Sequence, residues 1–240
     1  MTAAPPGQLW HQAAAFLGLT GHQPSHGLVL VTAFLALVAV ASRRLWPVTR
    51  TVVTIAHEGG HALVALLTGR RLGSVRVFRS TAGLTVSSGS RSGPGIVLTT
   101  AAGYTAPPLL GLGSAALLAT GHLASMLLIS LAGLAGLAVM IRNAYGMTAI
   151  LLTGAAIAAV LWRGTPLAEA ALGYALTWFL LLGGVRPVLE LQRARRRRPD
   201  GATDADQLAA LTGLPGWFWV AVFGLVALAA VAVSALWLLS

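Results

Sequence analysis

The sequence contains no cysteine and no lysine, and only 6 of its 240 residues are acidic. The lack of cysteine excludes disulfide bonds, thiol catalysis and zinc–thiolate sites, so a metal here must be bound by His, Asp or Glu. Charged residues make up 9% of the chain, whereas soluble globular domains carry roughly 25%. We therefore expect an integral membrane protein. No polar stretch is long enough to fold separately, which predicts a single domain over residues 1–240.

All 16 basic residues are arginines, and the net charge is +10. Such a charge is compatible with nucleic-acid binding, but these arginines cluster beside apolar segments, where basic residues set membrane topology. The sequence therefore predicts contact with membrane lipid and no nucleic-acid partner. It does not predict an oligomeric state.

Apolar segments long enough to cross a membrane, which takes about 20 residues each, recur along the chain. They are residues 28–42, 49–69, 95–120, 122–141, 146–162, 167–189 and about 208–239. We predict an all-α polytopic membrane protein with about seven transmembrane helices. The N-terminal segment 1–27 lacks the basic region and apolar core of a secretory signal peptide, so we expect the first span to be retained.

A β-hairpin is predicted between the second and third spans, within residues 70–94. Val75 and Val77 precede, and Leu84 and Val86 follow, a short turn in loose apolar alternation.

The arginines also predict an orientation. With seven spans, most of them fall on one side, including the arginine-rich loop at 190–203. The positive-inside rule then places this side in the cytoplasm. We expect a multi-pass protein of the cell membrane with its N-terminus inside and its C-terminus outside.

The segment "HEGGH" places ionisable side chains in the middle of the second predicted span. His57 and His61 are four residues apart, so on a helix they point the same way and can bind one zinc ion. Glu58 can reach the open coordination position and act as a base on water there. The alternative is two histidines that hydrogen-bond inside the bundle. The complete HExxH pattern, with one of only three glutamates in the chain, favours the metal.

A hydrolytic zinc site normally has three protein ligands and one water, so a third ligand is needed. The segment "TDADQLAALTGLPGWFW" begins with a good helix N-cap, Thr203, and carries Asp204 and Asp206. These two point about 200° apart on a helix, so at most one faces a metal. The alternative is that both only complement the helix dipole.

Several stretches resemble the site-2 protease family of intramembrane zinc metalloproteases, in particular its compact peptidase B-like branch without a PDZ domain. They are "HEGGHALVALLTGRRL", "AAGYTAPPLLG", "IRNAYG" and "TDADQLAALTGLPGWFW". The resemblance implies zinc held by His57, His61 and a distant aspartate, with Glu58 as general base. We assign that aspartate to Asp204, with Asp206 as the alternative. The resemblance also implies that the small β-hairpin after the HExxH helix is membrane-associated and presents substrate as an added strand. For Asn143 it suggests contact with the oxyanion or a substrate carbonyl, and a helix cap is the alternative.

The predicted function is zinc-dependent endopeptidase cleavage of transmembrane segments of other membrane proteins. Two alternatives remain open. No aspartate stands in the Asp-Gly motif of an apolar helix that better-known members carry, which favours an inactive pseudoprotease that binds membrane helices. An ion or proton transporter using the intramembrane His/Glu cluster is the other alternative.

Overall fold

The computed structural model describes residues 24–78, 83–197 and 203–240. Most of the predicted N-terminal segment 1–27 and part of the 190–203 loop lie outside these ranges. The described residues form eight helices and two strands. In chain order they are α1 (His26–Ala41), α2 (Trp46–Leu67), β1 (Arg71–Val77), β2 (Gly83–Ser88), α3 (Pro94–Ala119), α4 (Leu123–Met140), α5 (Ala144–Arg163), α6 (Pro166–Arg197), α7 (Asp204–Thr212) and α8 (Gly216–Leu239).

The mainly helical fold is confirmed, but the count of seven spans is not. In the described part of the chain, four helices are long and apolar enough to cross a membrane: α4, α5, Pro166–Arg196 of α6, and α8. Helices α1 and α2 pass the same test only together, as a pair bent by 103°, which gives up to five spans. The predicted last span is divided because the chain turns at Gly213, with φ of 75°, before Pro215. Helix α6 extends to residue 197, so the start of the arginine-rich segment is helical.

The predicted hairpin is confirmed. Strands β1 and β2 pair antiparallel, with Val75 opposite Thr85 and Val77 opposite Gly83. Val75 and Val77 are fully buried and pack in one cluster with Ile141, because alternate residues of a strand face the same side. The hairpin therefore lies folded against the helices.

Small residues bring α2 and α3 into close contact. A Cβ atom placed on Gly60 would lie 2.3 Å from the Ala106 Cβ and 2.8 Å from the Ala102 carbonyl oxygen. Only glycine at residue 60 allows this approach, as is usual where membrane helices pack tightly. The approach sets the HExxH segment of α2 directly against the middle of α3.

Local sequence explains why α7 begins and ends where it does. The Thr203 side chain accepts a hydrogen bond from the Asp206 amide, and Gly213 ends the helix in a left-handed conformation. Ala205 and Leu208 are fully buried in a cluster with Phe223 of α8. This packing fixes the first turn of α7 against the bundle.

Candidate metal centre

The two histidines of the HExxH segment converge on one point. Their Nε2 atoms lie 3.1 Å apart, on neighbouring turns of α2. The Nδ1 atom of His61 lies 2.7 Å from the carbonyl oxygen of Thr99 in α3. Because a carbonyl oxygen only accepts, Nδ1 carries the proton, and in the neutral ring Nε2 is left with its lone pair. A backbone partner of this kind orients histidine ligands at metal sites.

Asp204 joins the two histidines from the first turn of α7. Its Oδ2 atom lies 3.3 Å from the Nε2 of His57 and 3.3 Å from the Nε2 of His61. Yet this oxygen is buried and makes no hydrogen bond of good geometry. Burial opposes ionisation, but the two imidazoles outweigh it and hold the pKa of Asp204 well below its usual range. A metal bound here would require this carboxylate to be ionised and both imidazoles to be neutral.

The spacing of these three atoms fits a zinc ion. Tetrahedral zinc with bonds of about 2.0–2.2 Å to nitrogen and oxygen separates neighbouring ligand atoms by about 3.3–3.5 Å. The observed separations are 3.1, 3.3 and 3.3 Å. A buried carboxylate oxygen without a hydrogen-bond partner also calls for a cation, since unpaired buried charges are costly. The three residues can therefore hold a metal ion.

Gly103 of α3 leaves the space that such an ion needs. A Cβ atom at this residue would lie 2.4 Å from the Nε2 of His61 and 2.6 Å from the Nε2 of His57. Any larger residue would place its side chain between the two imidazoles. The close approach thus explains a glycine in the "AAGYTAPPLLG" segment that the sequence analysis left without a role.

Glu58 lies beside the cluster of His57, His61 and Asp204 and is fixed by the hairpin. Its side chain is only 3% exposed, and its Oε1 atom lies 4.0 Å from the Nε2 of His57. The Thr85 hydroxyl of β2 donates to the other oxygen, Oε2, at 2.5 Å. A Cβ atom on Gly83 would lie 2.1 Å from Oε1. Strand β2 therefore holds Glu58 so that Oε1 is directed toward the histidines.

Asp206 points away from the histidines. The Arg195 Nε donates to its Oδ1 at 2.7 Å, and the Thr203 hydroxyl donates to its Oδ2 at 2.5 Å. Burial opposes ionisation here as well, but these bonds from Thr203 and Arg195 outweigh it and lower the pKa of Asp206. Asp204 therefore lies close to the histidines, whereas Asp206 stabilises the first turn of α7.

A cavity of about 380 Å³ opens beside the cluster. His57, Glu58 and Asp204 line one end, and Arg50 and Glu190 line another part of the same space. The ring of Tyr104 also lines it. Its edge-on contact with His57 has a centroid distance of 4.8 Å, and Phe223 stacks on it at 5.1 Å. The cavity is large enough for a short stretch of peptide beside the metal-binding residues.

Asn143 occupies the N-cap position of α5, at the junction between α4 and α5. Its side chain makes no cap bond to α5. Instead its Oδ1 accepts from the Val77 amide at 3.1 Å, and its Nδ2 donates to the Val77 carbonyl at 2.6 Å. Next to it, the Arg142 amide donates to the Val75 carbonyl at 2.9 Å. The Asn143 side chain therefore bonds to the backbone of β1 as a neighbouring strand would, and this pairing anchors the hairpin.

The site combines one carboxylate and two imidazoles that can hold a metal with a buried glutamate, and it lies among apolar helices. This combination defines a candidate membrane metallopeptidase. The chain belongs to the peptidase M50B-like family, whose model matches residues 30–234. No curated protein and no solved structure matches the chain. The family match confirms the resemblance to site-2 proteases. Together with its apolar helices it makes this chain a multi-pass membrane protein of a metallopeptidase family.

Proposed function

We propose that this protein is a zinc-dependent intramembrane endopeptidase that cleaves transmembrane segments of other membrane proteins. The observation that carries the proposal is the approach of the buried Asp204 oxygen to within 3.3 Å of both histidine Nε2 atoms. It supplies, from a distant helix, the third ligand that an HExxH segment needs. The same approach favours the active enzyme over the inactive alternative, which rested on the lack of an Asp-Gly motif in an apolar helix, because Asp204 reaches the histidines without that motif.

His57, His61 and Asp204 would hold the zinc. When bound there, zinc supplies Lewis acidity, which lowers the pKa of a coordinated water to about 7 and polarises a carbonyl group. Glu58 accepts the proton of the attacking water at Oε1 and then returns it to the leaving amine nitrogen. Thr85 occupies Oε2, which keeps Oε1 as the oxygen that exchanges this proton.

The substrate must present extended backbone, because a helix keeps its peptide groups bonded and shielded. In the part of the chain that the structure describes, strand β1 has β2 on one side and the Ile141 bridge on the other, so β2 provides the open edge of the sheet. A substrate strand added to β2 would lie next to Thr85 and therefore beside Glu58. We propose that the hairpin receives the unwound substrate in this way.

Cleavage by the wild type but not by Glu58→Gln tests the proposal. Each variant is purified with zinc, reconstituted with a panel of single-span membrane proteins, and the fragments are identified by mass spectrometry. Glu58→Gln is expected to keep its zinc and to release no fragments. Glu169→Gln, a change in the first turn of α6, serves as the control and should cleave normally. Fragments from Glu58→Gln at the wild-type rate, or no cleavage by zinc-loaded wild type, would remove the support for a protease.

The orientation in the cell membrane also remains our proposal, with a cytoplasmic N-terminus. The number of spans decides the C-terminus, since five spans put the termini on opposite sides and four put them on the same side. The chain has no cysteine, so single cysteines introduced at Ser25 and Ser240 can be labelled without background. Labelling of Ser25→Cys by an impermeant reagent in intact cells would contradict this orientation.

A further inference from the structure

A group of charged side chains shares the cavity with the metal-binding residues. Arg50 lies on α2, seven residues before His57, and two helical turns place it on the same face of the helix. The separation along the axis is about 10 Å at 1.5 Å per residue. Glu190 of α6 lines the same cavity, and Arg186 lies one turn earlier on that helix.

Two guanidinium groups share a single carboxylate in this group. The Arg186 Nε lies 3.0 Å from one oxygen of Glu190, and an Arg50 Nη atom lies 3.4 Å from the other. Within the described ranges, two positive charges thus share one negative charge.

The two arginines differ in what their remaining donors do. Arg186 also donates to the carbonyl oxygens of Val40 and Ser42, and its guanidinium stacks on Trp46 at 4.8 Å. Its role is to tie the end of α1 to α6. Arg50 also lies over the Trp46 ring, at 5.5 Å, but it makes no bond to a backbone carbonyl of the described residues, and its buried Nε has no hydrogen-bond partner among them. Its side chain is 14% exposed and contacts the cavity. Of the two arginines, Arg50 is therefore the one with the less compensated positive charge and with an unused N–H donor at Nε.

A purely structural ion pair in this chain has a different form. Arg195 and Asp206 pair one to one at 2.7 Å, and Thr203 occupies the second carboxylate oxygen. The Arg50 pair is longer, and its carboxylate is shared with Arg186. The cavity is also lined by the carboxylates of Glu58, which accepts from Thr85, and of Asp204, whose unpaired oxygen faces the two histidines and is assigned to the metal. Among the described residues that line the cavity, Arg50 is thus the basic side chain whose hydrogen bonding is incomplete.

We propose that Arg50 binds a carboxylate of the peptide substrate, about three residues from the cleaved bond. The distance follows because extended peptide advances about 3.3 Å per residue, so three residues cover the separation from His57. The carboxylate belongs either to an acidic side chain or to a free C-terminus, since guanidinium binds both in the same way. The inference rests on the proposed function, because it assigns a specificity residue to the same cavity.

Binding to a cleavage-dead protein tests this without depending on catalysis. Three fluorescent peptides share one apolar sequence and end in a Gln amide, a Glu amide or a Gln free acid. Their dissociation constants are measured on zinc-loaded Glu58→Gln protein in nanodiscs. We expect at least one carboxylate peptide to bind about tenfold more tightly than the Gln amide, as a charge-assisted bond provides. Tighter binding of the Glu amide would identify an acidic side chain as the source of the carboxylate, and tighter binding of the Gln free acid would identify a free C-terminus.

Arg50→Gln in the same background should remove the preference. Arg163→Gln is the matched control, because Arg163 stacks on exposed Trp162 outside the cavity lining. It should keep the preference. Equal binding of all three peptides to the parent protein, or an unchanged preference in Arg50→Gln, would overturn the proposal.

Glu190→Gln separates substrate binding from helix pairing. It removes the carboxylate that competes for Arg50, so the preference for carboxylate peptides should increase. A role in helix pairing alone predicts lower thermal stability with no gain in binding, and that result would also overturn the proposal. If Arg50→Gln does not fold, Arg50→Lys keeps a positive charge and should retain a weaker preference that salt abolishes. Failure of these tests leaves the cleavage assay unaffected, so the two proposals fail separately.

Discussion

If the proposed zinc site is correct, replacing Gly103 by alanine should prevent zinc binding while leaving the three proposed ligands unchanged. The added Cβ would lie 2.4 Å from the Nε2 of His61 and 2.6 Å from the Nε2 of His57. Nonbonded carbon atoms approach to about 3.5 Å at their optimum, so each ring would have to move by about 1 Å. Metal sites tolerate deviations of about 0.2 Å in their bond lengths. The displacement is about five times that tolerance.

We expect the zinc affinity of Gly103→Ala to fall by at least about 100-fold, since loss of a single supporting contact already costs 10–100-fold. Zinc content after purification and competition with a chromophoric chelator measure this loss. Gly113→Ala is the matched control on the same helix, because a Cβ there meets nothing within 4 Å. It should keep wild-type affinity and gain at most about 1 kcal/mol of stability.

A wild-type zinc affinity in Gly103→Ala would refute the reasoning, provided that the protein is folded by circular dichroism. It would mean that the metal is held elsewhere or that α2 and α3 separate readily. Reduced affinity in both glycine variants would instead attribute the loss to helix packing in general.

Asp204→Ala should weaken zinc binding, measured by the same competition, much more than Asp206→Ala, because only Asp204 reaches the histidines. An equal loss of zinc affinity in the two variants, or a larger loss in Asp206→Ala, would contradict the assignment of Asp204 as the ligand. In zinc-free protein, Asp206→Asn should lower the thermal midpoint at neutral pH. Because folding lowers the pKa of Asp206, its contribution is complete above the unfolded value of about 4 and is lost as the pH falls through the folded value. The difference between the two proteins should therefore disappear in acid, and a constant difference would contradict this. Asn143→Ala should speed amide hydrogen exchange at Val77, read by mass spectrometry, while exchange in α8 stays unchanged; equal protection would show that β1 needs no anchor.

The parts of the site that could be predicted depend on local spacing. Two histidines at i and i+4 must share a helix face, so the HExxH segment fixes its own geometry once α2 forms. The hairpin also follows from local alternation of apolar residues. The number of spans could not be predicted in this way, because apolarity does not reveal the bend between α1 and α2 or the break at Gly213.

The choice between Asp204 and Asp206 was left open by spacing, although a local signal exists. Asp206 stands three residues after the N-cap Thr203, the position where an acidic side chain returns to the cap. That bond occupies Asp206 and leaves Asp204 available. The arrival of Asp204 at the histidines still requires burial of Ala205 and Leu208 against α8. Such packing is a tertiary contact that no spacing encodes.

The hairpin residues at Glu58 could not be predicted because they come from another element. Thr85 and Gly83 meet Glu58 only after β2 packs against α2. The strand that orients the base also carries the open edge of the sheet. Under the proposed function, a substrate strand on that edge would press on the same backbone that holds Thr85. Pairing of substrate with β2 and positioning of Glu58 are therefore coupled through one strand, and this coupling would restrict proton transfer to a substrate already extended beside the zinc.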